Sequence, residues 1–314
     1  MALILDSVAK RFGDVQALDG ISLQIEPGVV FGFLGANGAG KTTAMRIVLD
    51  ILRPDSGTIT WSGRSNTELP RETWGYLPEE RGLYAKMNVL DQLVFFAKLH
   101  GVKPREARRE AFEWLERFRI PEYANRRAES LSKGNQQKIQ FIAAVLHDPQ
   151  VLLMDEPFTG LDPVNVALLK EAFLEIKNRG KTLIFSTHQM ETVEELCESL
   201  AILDRGRIAV QGTVRGVRAS TGRQVVRLAI DGDPEIAWLE TIDGLKVTRR
   251  GQDYTEAELE RNRDPYLVLQ AALSRNLRVR HFEIADPSLE EVFISHVGRI
   301  DDSERRLAPR AVHA

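Results

Sequence analysis

The sequence predicts an α/β fold: a mostly parallel sheet flanked by helices, with an antiparallel β part at its start and a helical insertion in its middle. A small α+β domain of ferredoxin-like order is expected after it. Three observations carry this. Short apolar runs of strand length, Val29–Leu34 and Val151–Met154 among them, alternate with helical stretches, as parallel strands buried on both faces do. A purely helical pattern interrupts that alternation between about residues 88 and 148. Beyond Ser220–Arg223 the segments QVVRLAID, PEIAWLE, LKVTRR, DYTEAELE, DPYLVLQAALSR and RVRHFEIAD read as β-α-β-β-α-β.

Taken in order, residues 2–27 read as two β segments, LILDSVAKRF and ALDGISLQIEPG, divided by a turn at Gly13-Asp14. Val29–Leu34 leads into a glycine-rich loop and the helical stretch Thr42–Leu52, which Arg53-Pro54 stops because proline cannot continue a helix. TITWSG and TWGYLP are short strands. From Val89 to about Arg127 the pattern is helical, with Leu90, Leu93, Val94 and Ala97 on one face. Arg105–Arg119 forms a second amphipathic helix, and a third begins near Asn135 and ends at Pro149. VLLMDE, Pro163–Asn178, TLIFST, Gln189–Cys197, LAIL and RIAVQG then resume the alternation. Pro287–Val297 reads as a last helix. The domains expected are 1–218, 219–298 and a charged, disordered tail over 299–314.

Composition narrows the class. The 314 residues are 43% hydrophobic and 28% charged, enough for a large domain and a smaller one, each with a core. A net charge of −3 gives no basic excess for nucleic acid, so no nucleic-acid partner is expected. The single cysteine, Cys197, excludes an internal disulfide framework. The N-terminus lacks the basic region and cleavage site of a signal peptide, and no apolar run reaches the roughly 18–20 residues of a membrane span. A cytoplasmic chain that meets a membrane only through a partner is the expectation.

The chemistry is concentrated in two places. Gly35-Ala36-Asn37-Gly38-Ala39-Gly40-Lys41-Thr42, followed by Thr43, fits the P-loop pattern between a buried strand and a helix. Glycines let successive N–H groups turn inward, and the helix adds its positive end, so the loop cradles phosphates. Lys41 is then placed to reach the β- and γ-phosphates of ATP, and the Thr42 hydroxyl to ligate Mg²⁺. The strand Val151–Met154 ends in Asp155-Glu156. Alone, two acids there could equally cap a helix. After a P-loop they read as a phosphoryl-transfer pair, with Asp155 holding Mg²⁺ and Glu156 polarising the attacking water.

Between these lies Leu131-Ser132-Lys133-Gly134-Asn135, followed by Gln136-Gln137-Lys138, which resembles the signature motif of ATP-binding-cassette ATPases. The other landmarks follow in that family's order: Phe12 as an adenine-stacking aromatic, Thr159-Gly160-Leu161-Asp162 as the D-loop, and His188 as the switch histidine. The resemblance covers about residues 2–215. It implies a P-loop NTPase cassette that hydrolyses ATP with Mg²⁺ as the motor subunit of a membrane transporter. It also implies a head-to-tail homodimer, in which Ser132, Lys133, Gly134, Asn135 and Asp162 of one subunit close over ATP held by the other. A polytopic membrane subunit docks at the helical insertion and the loop near Glu79. Physically, a hydroxyl and a glycine opening a helix make a second anion site in a chain with one P-loop.

Two departures stand out. Glu79 occupies the place where the family has glutamine, and a carboxylate there can still approach Mg²⁺ and the water while adding negative charge. Lys133 and Asn135 replace the signature's usual glycine and glutamine, and Lys133 could offset Glu79. The string Leu77–Tyr84 and the C-terminal Asp286–Phe293 resemble a subgroup of bacterial sodium-extrusion and drug-export systems. The small domain reads as a dimer-stabilising or regulatory module. Two rivals stay open: a soluble cassette ATPase acting on ribosomes or DNA, and an ATP-dependent regulator whose small domain binds a ligand.

Overall fold

The computed structural model describes residues 2–80, 82–232 and 236–297. The chain divides into two compact units at Gln211/Gly212.

The first unit opens with two long strands, β1 (Leu3–Phe12) and β2 (Val15–Ile25), paired antiparallel. β3 (Val30–Leu34) is buried at every position, as a parallel strand covered on both faces must be. After the glycine-rich loop comes α1 (Lys41–Val48), then β4 (Ser56–Trp61), β5 (Arg64–Ser65) and β6 (Trp74–Leu77). The insertion supplies α2 (Val89–Leu99), α3 (Pro104–Arg117) and α4 (Lys133–Val145). In α3, Ala107, Ala111 and Leu115 fall four residues apart and form its buried stripe, and Pro104 sits in the first turn, where no N–H is needed. β7 (Val151–Asp155), α5 (Pro163–Asn178), β8 (Thr182–Thr187), α6 (Met190–Leu196), β9 (Ser199–Asp204) and β10 (Arg207–Thr213) complete the alternation.

Two sheets result. One has the order β2-β1-β4-β5 and is antiparallel; the other has the order β10-β9-β3-β8-β7-β6, with parallel pairing from β9 through to β6. Leu3, Leu5 and Ile25 of the first sheet, Phe33, Val151 and Ile184 of the second, and Met45 and Ile47 of α1 share one buried cluster. Each such side chain contributes about 1.5–3 kcal/mol by leaving water, so α1 is clamped on the sheet whose strand ends carry the chemistry.

The second unit contains α7 (Val214–Ala219), β11 (Arg223–Ile230), β12 (Leu245–Arg250), β13 (Thr255–Glu260), α8 (Tyr266–Ser274) and β14 (Val279–Ala285). The strands pair antiparallel in the order β12-β13-β11-β14, which is the ferredoxin-like order. It has its own core, including Val226, Leu228, Leu259 and Val268. Residues 289–297 are helical.

Two expectations need correction. The first helix of the small unit is only a 3₁₀ turn, Ala237–Thr241, because Ile236 before it sits at φ +46°, a left-handed conformation no helix interior admits. The division between units falls at 211/212 rather than 218/219. Arg218 on α7 donates to the carbonyls of Pro287 and Asp286 at 2.7 and 2.8 Å, which ties that helix to the later unit. The tail expectation for 299–314 lies outside the described residues.

Candidate nucleotide and catalytic site

The loop between β3 and α1 owes its path to glycine at two positions. Gly35 has φ +156°, and a Cβ there would stand 2.5 Å from the Leu203 carbonyl oxygen of β9. Gly40 has φ +108°, with a Cβ 2.5 Å from the Ala17 carbonyl oxygen. Any side chain would push the loop off the strands beneath it. Gly40 also opens α1 with no side-chain cap, so the first-turn N–H groups keep no side-chain partner there.

The loop and the first turn of α1 line a cavity of ≈ 390 Å³, bounded by Val15 and Ala17, by Asn37, Gly38, Ala39, Gly40, Lys41, Thr42 and Thr43, and by Glu79, Asp155 and Glu156. The Lys41 ammonium is buried and donates to the carbonyls of Gly35 at 2.7 Å and Ala36 at 3.1 Å. Burial lowers its pKa from the ordinary lysine value; the negative charges of Glu156, Asp155 and Glu79 oppose this without cancelling it. No carboxylate among the described residues forms an ion pair with it, and its bonds go to carbonyls alone.

The acids are held differently. Asp155 is 1% exposed; its Oδ1 accepts from the Ser186 hydroxyl, while its Oδ2 is buried with no hydrogen-bond partner among the described residues. Leaving a buried carboxylate oxygen unpaired costs about 1–3 kcal/mol or more. Glu156 follows at φ +48°, a strained backbone worth roughly 1–3 kcal/mol, and its N–H donates to both the carbonyl and the hydroxyl of Ser186 at 3.2 and 3.1 Å. Thr159 donates its hydroxyl to Glu156 Oε2 at 3.1 Å, and His188 Nδ1 lies 3.0 Å from Oε1. A carboxylate only accepts, so Nδ1 carries the proton in that contact. Both oxygens of Glu156 are thereby oriented.

The remaining sequence-identified residues lie on other elements. Ser132 caps α4, its Oγ accepting from Asn135 N at 3.3 Å; Lys133 and Gly134 stand in the first turn. Asp162 caps α5, and the Asn165 backbone N–H it accepts at 3.0 Å is the main cause of a carboxyl pKa below the usual range. None of Ser132, Lys133, Gly134, Asn135 and Asp162 lines the cavity of their own subunit, and neither does Phe12, half-exposed at 48% with the Lys10 ammonium 5.6 Å from its ring centroid. Glu79 does line it.

Sequence reasoning missed Ser186, which latches Asp155 and Glu156 together, and Gln137, whose side-chain amide donates to the Pro157 carbonyl at 3.1 Å and joins α4 to the loop after Glu156. The only signal for Ser186 was a polar residue after the apolar run Leu183–Phe185, and Gln137, between Gln136 and Lys138, carried none.

Comparison with known proteins agrees with this geometry. The family model described as "ABC transporter" matches residues 18–159, and that described as "ATP-binding protein DrrA1-3-like, C-terminal domain" matches 212–297. The chain is 47% identical over 306 residues to the uncharacterized ABC transporter ATP-binding protein YhaQ of Bacillus subtilis (strain 168), covering 95% of this chain and 99% of that one. It is 31% identical over 307 residues to the daunorubicin resistance ATP-binding protein DrrA3 of Streptomyces coeruleorubidus, covering 95% and 96%. A solved structure titled as the ATP binding subunit of an ABC transporter superposes with a TM-score of 0.66 at 29% identity, over 71% of this chain and 94% of that one. With a phosphate cradle, a latched pair of acids and these relatives, the chain belongs to the ATP-binding subunits of ABC transporters and is an ATPase.

Proposed function

We propose that this subunit works as the motor of an exporter of drug-like, amphipathic solutes. The observation that carries the solute class is the second unit. It matches the DrrA1-3-like C-terminal domain, and a relative that aligns over both units is named for daunorubicin resistance. On this reading the chain is held at the cytoplasmic face of the membrane by a polytopic partner, since no helix among the described residues is long and apolar enough to cross one. Tyr84 packs on Phe95 and Phe96 of α2 in the insertion, and Tyr84 and Phe95 are exposed, which suits docking there.

Two copies act head to tail. Gly134 supports this: a Cβ there would meet nothing closer than Asn165 Nδ2 at 3.5 Å, ordinary contact distance. Its own subunit therefore does not require glycine, and the room serves a group arriving from outside, the γ-phosphate held by the partner. Ser132, Lys133, Asn135 and Asp162 belong to that approaching face, while Phe12 offers its exposed ring to the adenine.

The residues fit Mg²⁺. The unpaired Asp155 Oδ2 is an oxygen donor in want of a cation, Thr42 lines the same cavity, and Glu79 is a third oxygen ligand within reach of it. Mg²⁺ favours such sites, with few protein oxygens and the rest from phosphates and water. When bound it neutralises phosphate charge. Lys41 leaves its loop carbonyls for the β- and γ-phosphates. Glu156, fixed between Thr159 and His188, takes the proton of the attacking water. With Nδ1 facing Glu156, His188 turns its Nε2 edge to the γ-phosphate.

The test is to exchange the native protein for Glu156→Gln in the parent cells, then follow daunorubicin accumulation and sodium tolerance. Raised daunorubicin retention with unchanged sodium tolerance supports the proposal. Sodium sensitivity alone assigns ion extrusion instead, and no change in either sinks it.

A further inference from the structure

The second unit contains a cavity that the motor leaves without a role. It lies at one end of the four-stranded sheet, where β11 runs into Asp231-Gly232 and the turn before β13 passes through Gly251 and Asp253, and has a volume of ≈ 210 Å³. That is below the roughly 300–1,000 Å³ of drug-sized pockets and suits a molecule of under ten or so heavy atoms. Leu228, Ile230 and Ile236, all buried, give it an apolar floor.

Thr255 opens β13 on the same face as the core residues Ala257 and Leu259 and lines this cavity. It is 1% exposed, and its hydroxyl has no hydrogen-bond partner among the described residues. Such a group is costly in a core, and beside a cavity it offers a donor and acceptor to whatever enters. At the mouth stand the carboxylates of Asp231 and Asp253 and the guanidinium of Arg280, none in an ion pair among the described residues. Arg280 donates one N–H to the Asp253 carbonyl at 2.9 Å, which holds it at the rim, and its other N–H groups have no partner among the described residues.

Both signs of charge at the mouth, a lone hydroxyl within and a short apolar floor complement a small zwitterion with an aliphatic tail. We propose that this cavity binds a free α-amino acid with a short aliphatic side chain. Its ammonium meets Asp231 and Asp253, its carboxylate meets Arg280 and takes the Thr255 hydroxyl as a second donor, and its side chain lies over Ile230 and Ile236. The inference is independent of the solute proposed for transport.

Calorimetric titration of the full chain, without nucleotide, with L-valine and L-leucine tests this, with isobutylamine and isovalerate as half-ligands. Roughly millimolar affinity for the amino acids is expected at this ligand size, with each half-ligand about tenfold weaker. Thr255→Val keeps shape and β-branching while deleting the hydroxyl, and should weaken binding about tenfold without lowering the melting temperature; Thr255→Ser should restore it. Absence of heat with any ligand at about 10 mM overturns the proposal. So does binding that Thr255→Val and Arg280→Gln both leave unchanged, or a half-ligand as tight as the amino acid.

Discussion

Two helix N-termini in the first unit, both assigned to phosphate in the proposed function, are finished differently. At α1 the N-cap is Gly40 in a left-handed conformation with no capping side chain, so the helix end is left open to the cavity. At α4 the N-cap is Ser132, whose hydroxyl already accepts the Asn135 N–H. The open end also has a buried lysine beside it; the closed end has an exposed one, Lys133. The difference teaches how binding is ordered. A helix end with no partner of its own gains most from a phosphate and binds first. A self-capped end gives up a local hydrogen bond for a new one, gains less, and suits a contact made only when a second subunit closes.

The strongest way to separate binding from chemistry is Glu156→Gln. It removes the base but touches neither helix end, so turnover should fall roughly 100- to 10,000-fold with ATP affinity nearly unchanged. Phosphate release together with equilibrium binding of a fluorescent ATP analogue checks both halves, and near-normal hydrolysis would remove Glu156 from its role. Lys41→Ala strikes the open end. Losing a buried cation opposite phosphates should cost about 2–4 kcal/mol, or roughly 30- to 1,000-fold in ATP affinity of a single subunit. Unchanged affinity would place the nucleotide elsewhere.

The closed end should behave in the opposite way. Ser132→Arg, made in the Glu156→Gln protein, should leave subunit affinity for ATP alone but raise the dimer dissociation constant at least about tenfold, since its bulk occupies the place of the arriving phosphate. Sizing chromatography with ATP reads this directly; persistent dimers would break the head-to-tail arrangement. The smallest effect is expected from Ser132→Ala. It removes only the cap, so chemical denaturation should show a loss of about 1 kcal/mol with ATP binding by the lone subunit intact. If Ser132→Ala weakened that binding as Lys41→Ala does, the two ends would not differ in kind.

Much of this was written locally. The glycine spacing of 35–42, the apolar runs within β3, β7 and β8, the prolines opening α3 and α5 and the caps at Ser132 and Asp162 are properties of short segments, readable because helix and strand periods act over a few residues. The sequence also carried the small unit's strand order of elements, though not its first helical segment, where one left-handed residue at Ile236 shortens the turn.

Tertiary structure alone decided the contacts that make the acids a site. His188 meets Glu156, and Ser186 meets both Asp155 and Glu156, because β7 and β8 are parallel neighbours with Asp155 in register with Ser186. Gln137 reaches Pro157 only because α4 lies near the end of β7, and Arg218 finds residues 286 and 287 only once the small unit has closed on itself. The same holds for the hydroxyl of Thr255, an unremarkable strand residue until the sheet buries it without a partner. Local periodicity says which face a side chain takes, but sheet order and register say what waits there. These depend on pairings between residues far apart in the chain, which no short window of sequence contains.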